Sequence, residues 1–140
     1  MITLVENSIS IEEYLKLRAA VQWRELSENQ AIQVINNSLF FVKAVDDCGN
    51  VVGMGRIVGD GAVVCYIQDL IVLPDMQGKK IGSLLIKRLI AFVNELREEN
   101  TTLMLCLMCA KGREKFYEKH GFIARPNDML GPGMIQYLQD

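Results

Sequence analysis

The stretch that most constrains the fold runs from Tyr66 to Phe92, YIQDLIVLPDMQGKKIGSLLIKRLIAF, because it fixes a strand, a turn and a helix in immediate succession. Ile67 to Leu73 is an almost unbroken run of β-branched and long apolar residues, interrupted only by Gln68 and Asp69. Such a run suits a central strand buried on both faces. Pro74 ends it. From Ile81 the apolar residues Leu84, Leu85, Leu89 and Phe92 recur at three- and four-residue steps, which predicts an amphipathic helix with Lys87 and Arg88 on its wetter side.

Between strand and helix stands Gln77-Gly78-Lys79-Lys80-Ile81-Gly82-Ser83. A glycine-containing turn that feeds a helix start leaves backbone N–H groups aimed outward, with the positive end of the helix dipole behind them. That is a cradle for a phosphate, to which Lys79 and Lys80 add charge. An ordinary strand-to-helix connection reads equally well from the loop alone. The G-x-x-x-x-G-K-[ST] and G-x-G-x-x-G phosphate loops are both absent.

A chain of 140 residues, half of them hydrophobic, is long enough for one domain with a real core, and no composition break divides it. A net charge of -2 argues against a nucleic-acid binder held by a basic surface. No run reaches the length of a membrane span and no signal-peptide pattern opens the chain, so a cytoplasmic protein without a membrane partner is expected. Cys48, Cys65, Cys106 and Cys109 lie mostly in apolar stretches, which favours buried free thiols over disulfides. Cys106 and Cys109 have C-x-x-C spacing, but three positions apart in a strand point to opposite faces, and His120 is the only histidine. No metal site is expected.

Taken in order, Ile2 to Val5 reads as a short strand. Ser10-Ile11-Glu12-Glu13 and Ser27-Glu28-Asn29-Gln30 have capping-box spacing and open two short helices joined near Trp23. Trp23 is either a core anchor or an apolar wall for a ligand. Leu39 to Val45 and Val51 to Val58 form a hairpin around Asp46 to Asn50, and a turn at Gly59-Asp60-Gly61 leads into the long strand. After the long helix, Thr101 to Cys109 reads as a buried strand and Gly112 to His120 as a short helix closed by Gly121. Phe122 to Ala124 resumes extended structure, and Met134 to Leu138 is expected as the final strand.

The segment from Val72 and Pro74 through Gln77-Gly78-Lys79-Lys80-Ile81-Gly82 resembles the acyl-CoA-binding motif of the GNAT superfamily of N-acetyltransferases: Gln or Arg, two residues, Gly, one residue, Gly or Ala. Lys80 stands where the family usually has its middle glycine. Phe116-Tyr117-Glu118-Lys119-His120-Gly121-Phe122 resembles the family's F-Y-x-x-x-G-F segment, although Ala110 replaces the asparagine that many members carry seven residues before the tyrosine. More locally, Leu17 to Trp23, Gly53 to Asp60, Arg125 to Asp128 and Gly131 to Met134 look like a branch that includes serotonin N-acetyltransferase-like proteins. Tyr66-Ile67-Gln68-Asp69 is similar to a strand of diamine acetyltransferases, with Gln68 in place of a glutamate.

The resemblance implies an α/β GNAT fold over 1–140, a single domain with a mixed, mostly antiparallel sheet flanked by helices. It implies acetyl-CoA as cosubstrate, bound at Leu70, Ile71, Val72, Gln77, Gly78, Lys79, Lys80, Ile81, Gly82 and Ser83. It also implies a small-molecule or protein amine as acceptor, with Trp23 and Gln68 as candidate acceptor contacts. The attacking amine must lose a proton, and Asp69, directly or through water, is the candidate base unless it pairs with Arg56. The departing thiolate must gain one, and Tyr117 is the candidate acid. A CoA-binding sensor without efficient catalysis and a cofactor-free adaptor are the alternative classes. Dimers are common in the family, so a homodimer is a further expectation.

Overall fold

The structure, a computed structural model, describes residues 1–140. Both expected capping boxes form. Ser10 Oγ accepts the Glu13 N–H at 3.1 Å while Glu13 accepts the Ser10 N–H at 2.9 Å, opening α1 (Ile11–Ala20). Ser27 and Gln30 repeat the exchange at 3.0 and 2.9 Å to open α2 (Glu28–Asn37). Around these helices lie β1 (Thr3–Glu6), β2 (Phe40–Val45), β3 (Val51–Gly59) and β4 (Val64–Val72), then a short 3₁₀ turn at Pro74–Met76, α3 (Ile81–Leu96), β5 (Met104–Leu107) and α4 (Glu114–Lys119).

Backbone contacts divide the chain into two compact units, Met1–Leu107 and Met108–Asp140. The first holds a five-stranded sheet in sequence order, antiparallel except where β5 joins β4 in parallel. Alternation along β2 sends Phe41 to one face and Phe40 to the other. On the first face Phe41, Met54 and Ile71 bury against Tyr14 and Leu17 of α1 and Ala31 of α2. On the second, Phe40 stacks on Phe92 with ring centroids 4.1 Å apart, and α3 buries Ile81, Leu85, Ile86, Leu89 and Val93.

The β3–β4 register changes parity midway. Ile57 faces Ile67 and Arg56 faces Gln68, but Met54 faces Ile71, so β4 inserts one extra residue opposite Gly55. Met54 and Ile57 are three apart on β3 and point to opposite faces. Their partners Ile67 and Ile71 therefore also point to opposite faces, although they lie four positions apart, an offset that in a regular strand shares one face. This is a β-bulge, and it corrects the expectation of one regular strand. A Cβ on Gly55 would meet Leu89 Cδ1 at 2.7 Å, so a larger residue beside the bulge would make the Leu89 side chain of α3 shift.

The second unit holds α4, closed as expected by Gly121 at φ 94°. The Gly121 N–H donates to Glu118 C=O at 3.0 Å and the Phe122 N–H to Tyr117 C=O at 3.1 Å, a Schellman ending. The expected final strand over Met134 to Leu138 does not form, nor does a strand at Phe122 to Ala124. Met134-Ile135-Gln136-Tyr137-Leu138 lacks strict alternation, and Met134 and Leu138 are 88% and 87% exposed. The thiols are free, but only Cys65 is buried; Cys106 is half-buried, and Cys48 and Cys109 are exposed in connections, contrary to the expectation of burial.

Candidate active site

The free edge of β4 follows from the strand lengths. β5 pairs with β4 from Val64↔Met104 to Ile67↔Leu107 and then ends, while β4 continues to Val72. Beyond Ile67, the backbone of Gln68 to Val72 has a strand partner only on the β3 side. The bulge lies in this segment. Of the residues expected to hold a thioester, Leu70, Ile71 and Val72 are all here.

From the end of that edge the chain turns through Pro74–Met76 into α3. Gln77 Nε2 donates to Val72 C=O at 3.2 Å, tying the loop back to the strand. Gly78 has φ 80°, a conformation that favours glycine, and Lys80 has φ 65° and ψ 15°. The lysine that replaces the family's glycine thus keeps a glycine-like backbone. Lys80 C=O accepts the first α-helical bond, from Leu84 N–H at 3.2 Å, which puts Ile81, Gly82 and Ser83 in the opening turn of α3. Their N–H groups come before the helix's own ladder begins. Lys79 is exposed beside them.

Asp69 lies in a network of donors. It is one of the two bulge residues opposite Gly55, with φ 55°, and is only 2% exposed. Its Oδ1 accepts Arg18 Nη1 at 2.7 Å, and its Oδ2 accepts both Tyr14 O–H at 2.6 Å and Arg56 Nε at 2.8 Å. An amine proton would have to reach a carboxylate with no exposed side-chain surface and both oxygens occupied. The pairing with Arg56 is therefore observed, and a role as direct base is not compatible with this arrangement. Asp60, at the next turn back, accepts the N–H groups of Ala62, Val63 and Val64 at 2.8–3.0 Å and serves as a turn cap. Its carboxyl is held below the usual range, first by the bond from Val64 N–H.

Sequence reading anticipated Arg56 and missed the other two partners of Asp69, Tyr14 and Arg18. Tyr14 and Arg18 are four residues apart on one face of α1, and Tyr14 is fully buried, so Arg18 beside it needs an anion. Burial, and then the hydrogen bond to Asp69, push the Tyr14 phenol up to about 12. Arg18 also lies 5.5 Å over the Trp23 ring and donates through Nη2 to Arg24 C=O at 2.9 Å. Trp23 is 40% exposed, so it is not a core anchor. Gln68 is half-buried on the Arg56 face of the sheet.

Tyr117 belongs to the second unit, on α4. Its ring meets Phe116 and Phe122 edge-on at 5.1 and 6.0 Å. Burial, and then the nearby Cys109 thiol, raise its phenol above the ordinary value against a lowering pull from Arg113. It therefore carries its proton at neutral pH. No group of three or more His, Cys, Asp or Glu side chains is arranged to hold a metal, and no helix is long and apolar enough to cross a membrane.

A sheet whose fourth strand runs past its fifth and leads through a glycine-containing loop into α3 is an arrangement shared with acetyltransferases of solved structure. The sequence model of the GNAT acetyltransferase domain matches residues 36–124, and this chain belongs to that family. A GNAT-family acetyltransferase of Streptococcus pneumoniae is similar at 30% identity over all of both chains, with a TM-score of 0.81. A probable acetyltransferase of meticillin-resistant Staphylococcus aureus is 28% identical over 98% of this chain and 100% of that one, with a TM-score of 0.84. An uncharacterised N-acetyltransferase of Pyropia yezoensis, ycf52, is 26% identical over 89% of this chain and 71% of its own length. The protein is an acetyl-transfer enzyme of the GNAT type.

Proposed function

We propose that residues 1–140 act as one domain that transfers the acetyl group of acetyl-CoA to a primary amine by direct attack. The observation that carries this reading is the free backbone of β4 from Gln68 to Val72, which leads directly into the Gly78–Ser83 loop and the start of α3. A thioester needs its carbonyl polarised, and a strand edge with N–H groups to spare can donate to that oxygen. A pyrophosphate needs backbone N–H donors and close approach; Gly78 and Gly82 permit the approach, and Lys79 and Lys80 add charge. Gln77 holds the loop to the strand. Trp23, with its ring partly exposed, and Gln68 are the proposed acceptor contacts.

The neutral amine nitrogen forms a bond to the thioester carbon, the carbon–sulfur bond breaks, and the sulfur leaves with a proton from Tyr117. The proton lost by the amine passes to water, since Asp69 is occupied. The role of Tyr117 is supported by its F-Y-x-x-x-G-F segment and by a phenol that stays protonated at neutral pH.

Calorimetric titration with acetyl-CoA, followed by a panel of amines with detection of free CoA thiol, tests the proposal. Saturable binding and thiol release with one class of amine are expected. Binding without turnover across the panel would favour a CoA sensor. The Gly82→Asp variant sharpens the donor assignment. An aspartate in the first turn favours the helix dipole, so folding persists, while its carboxylate opposes an anion there. Unchanged affinity in that variant would remove the loop from the donor site.

A further inference from the structure

Asp69 is the chain's only buried charged residue, and its contacts reach well beyond an ion pair. Tyr14 and Arg18 bind it from α1, and Arg56 binds it from β3. Arg18 continues to Arg24 C=O and the Trp23 ring, in the connection between α1 and α2. Arg56 continues through Nη1 to Ser38 Oγ at 3.2 Å, and Ser38 Oγ donates to Val34 C=O at 2.7 Å at the end of α2. Arg18 Nε is buried with no partner, so the guanidinium accepts one unsatisfied donor in order to meet Asp69 and Arg24. All of this converges on a residue with a left-handed backbone, φ 55°, which aspartate tolerates better than most side chains but which still costs a non-glycine residue some free energy.

We propose that Asp69 is a positioning residue: the clamp of Tyr14, Arg18 and Arg56 on its carboxylate holds the β4 bulge and so sets the direction of the free backbone at Leu70–Val72 toward the acyl group. This rests on the donor site proposed above. Without the clamp, Asp69 can relax toward ordinary strand dihedrals. The extra residue then has no fixed place opposite Gly55, and the edge that follows it turns. The same clamp reaches Trp23, so the acceptor wall and the donor edge are held by one carboxylate.

The test uses acetyl-CoA labelled with carbon-13 at the acetyl carbonyl, observed by NMR on the whole chain. Hydrogen bonding from backbone N–H groups displaces that resonance downfield when the thioester is bound. In Asp69→Asn the carbonyl resonance should return toward its free position, while affinity for CoA lacking the acetyl group stays close to wild type, because the phosphate loop is untouched. Tyr14→Phe leaves both ion pairs in place and should give an intermediate displacement; it decides the matter alone if Asp69→Asn does not fold. A folded variant with the wild-type carbonyl position overturns the inference. If the wild-type protein shows no bound resonance at all, the donor-site reading itself fails, an outcome distinct from a bound but unshifted one. Once an acceptor is found, the acid limb of the kcat/KM profile should survive in Asp69→Asn; its disappearance would restore Asp69 as the base and overturn the positioning role.

Discussion

Asp69 and Lys80 share a left-handed backbone, at φ 55° and 65°, that an aspartate adopts more readily than a lysine, and their surroundings are opposite. Asp69 is buried under three side-chain donors from two elements. Lys80 is exposed at the start of α3, and its side chain makes no capping hydrogen bond. At the first position side-chain contacts hold the strained conformation; at the second the backbone path from turn to helix demands it whatever the side chain. The two regions therefore divide the labour. Around Asp69, polar groups are committed to shape, whereas at Lys80 the side chain stands exposed beside Lys79.

Removing the carboxylate is the largest way to break that contrast. Asp69→Ala leaves the Arg18 and Arg56 guanidiniums side by side without their anion, and loss of one partner from a buried pair costs about 3–5 kcal/mol. Urea unfolding should show a loss of that size. A loss below about 1 kcal/mol would mean that the arginines find water easily and the clamp is weak.

The two tyrosines carry the contrast further. Tyr117→Phe keeps the ring against Phe116 and Phe122 and should leave stability and acetyl-CoA affinity near wild type, with turnover down about a hundredfold. Wild-type turnover, with chemistry limiting the rate, would remove Tyr117 as the acid. Tyr14→Phe, unlike Tyr117→Phe, should cost about 1.5–3 kcal/mol of stability through the lost bond to a charged acceptor. Its pH signature has a definite sign. Because the folded phenol is pushed up to about 12 from 10.0, the unfolded chain releases the proton first. The contribution is complete below pH 10 and is lost as pH rises toward 12. The difference in stability between wild type and Tyr14→Phe should shrink over that interval; a constant difference would show that the phenol does not titrate with unfolding.

What the sequence made legible follows the range of the interactions involved. Both capping boxes, the hairpin turn at Asp46 to Asn50 and the Gly121 ending involve residues within a few positions of one another, and local chemistry decides them. The loop and α3 were legible because glycine, lysine and apolar spacing are local too. The bulge was not, since an extra residue in β4 becomes visible only against the register of β3. The clamp joins positions 51 and 55 apart in sequence, and no local pattern announces such a bond. The expected final strand fails for the same reason: Met134 to Leu138 has the apolar composition of a strand without its alternation, and pairing with a distant strand is not written in composition.

The smallest expected effect separates the two left-handed sites most cleanly. Lys80→Gly removes a side chain from a conformation that costs an L-residue roughly 1–2 kcal/mol. Glycine's greater freedom in the unfolded chain offsets roughly 0.5–1 kcal/mol of this, so a net gain of about 0.5–1 kcal/mol is expected as a slightly higher Tm. Acetyl-CoA should still bind, with a modest change in affinity of either sign, because a nearby positive charge is lost while the loop gains room to fit the anion. Asp69→Gly removes the same kind of strain and should nonetheless destabilise strongly, because the clamp is lost with it. If both glycine variants were stabilised, contacts at Asp69 would not be what holds the bulge. If Lys80→Gly abolished acetyl-CoA binding, measured by calorimetry on the folded variant, the ammonium of Lys80 would itself be the essential phosphate ligand rather than an accessory to the backbone cradle.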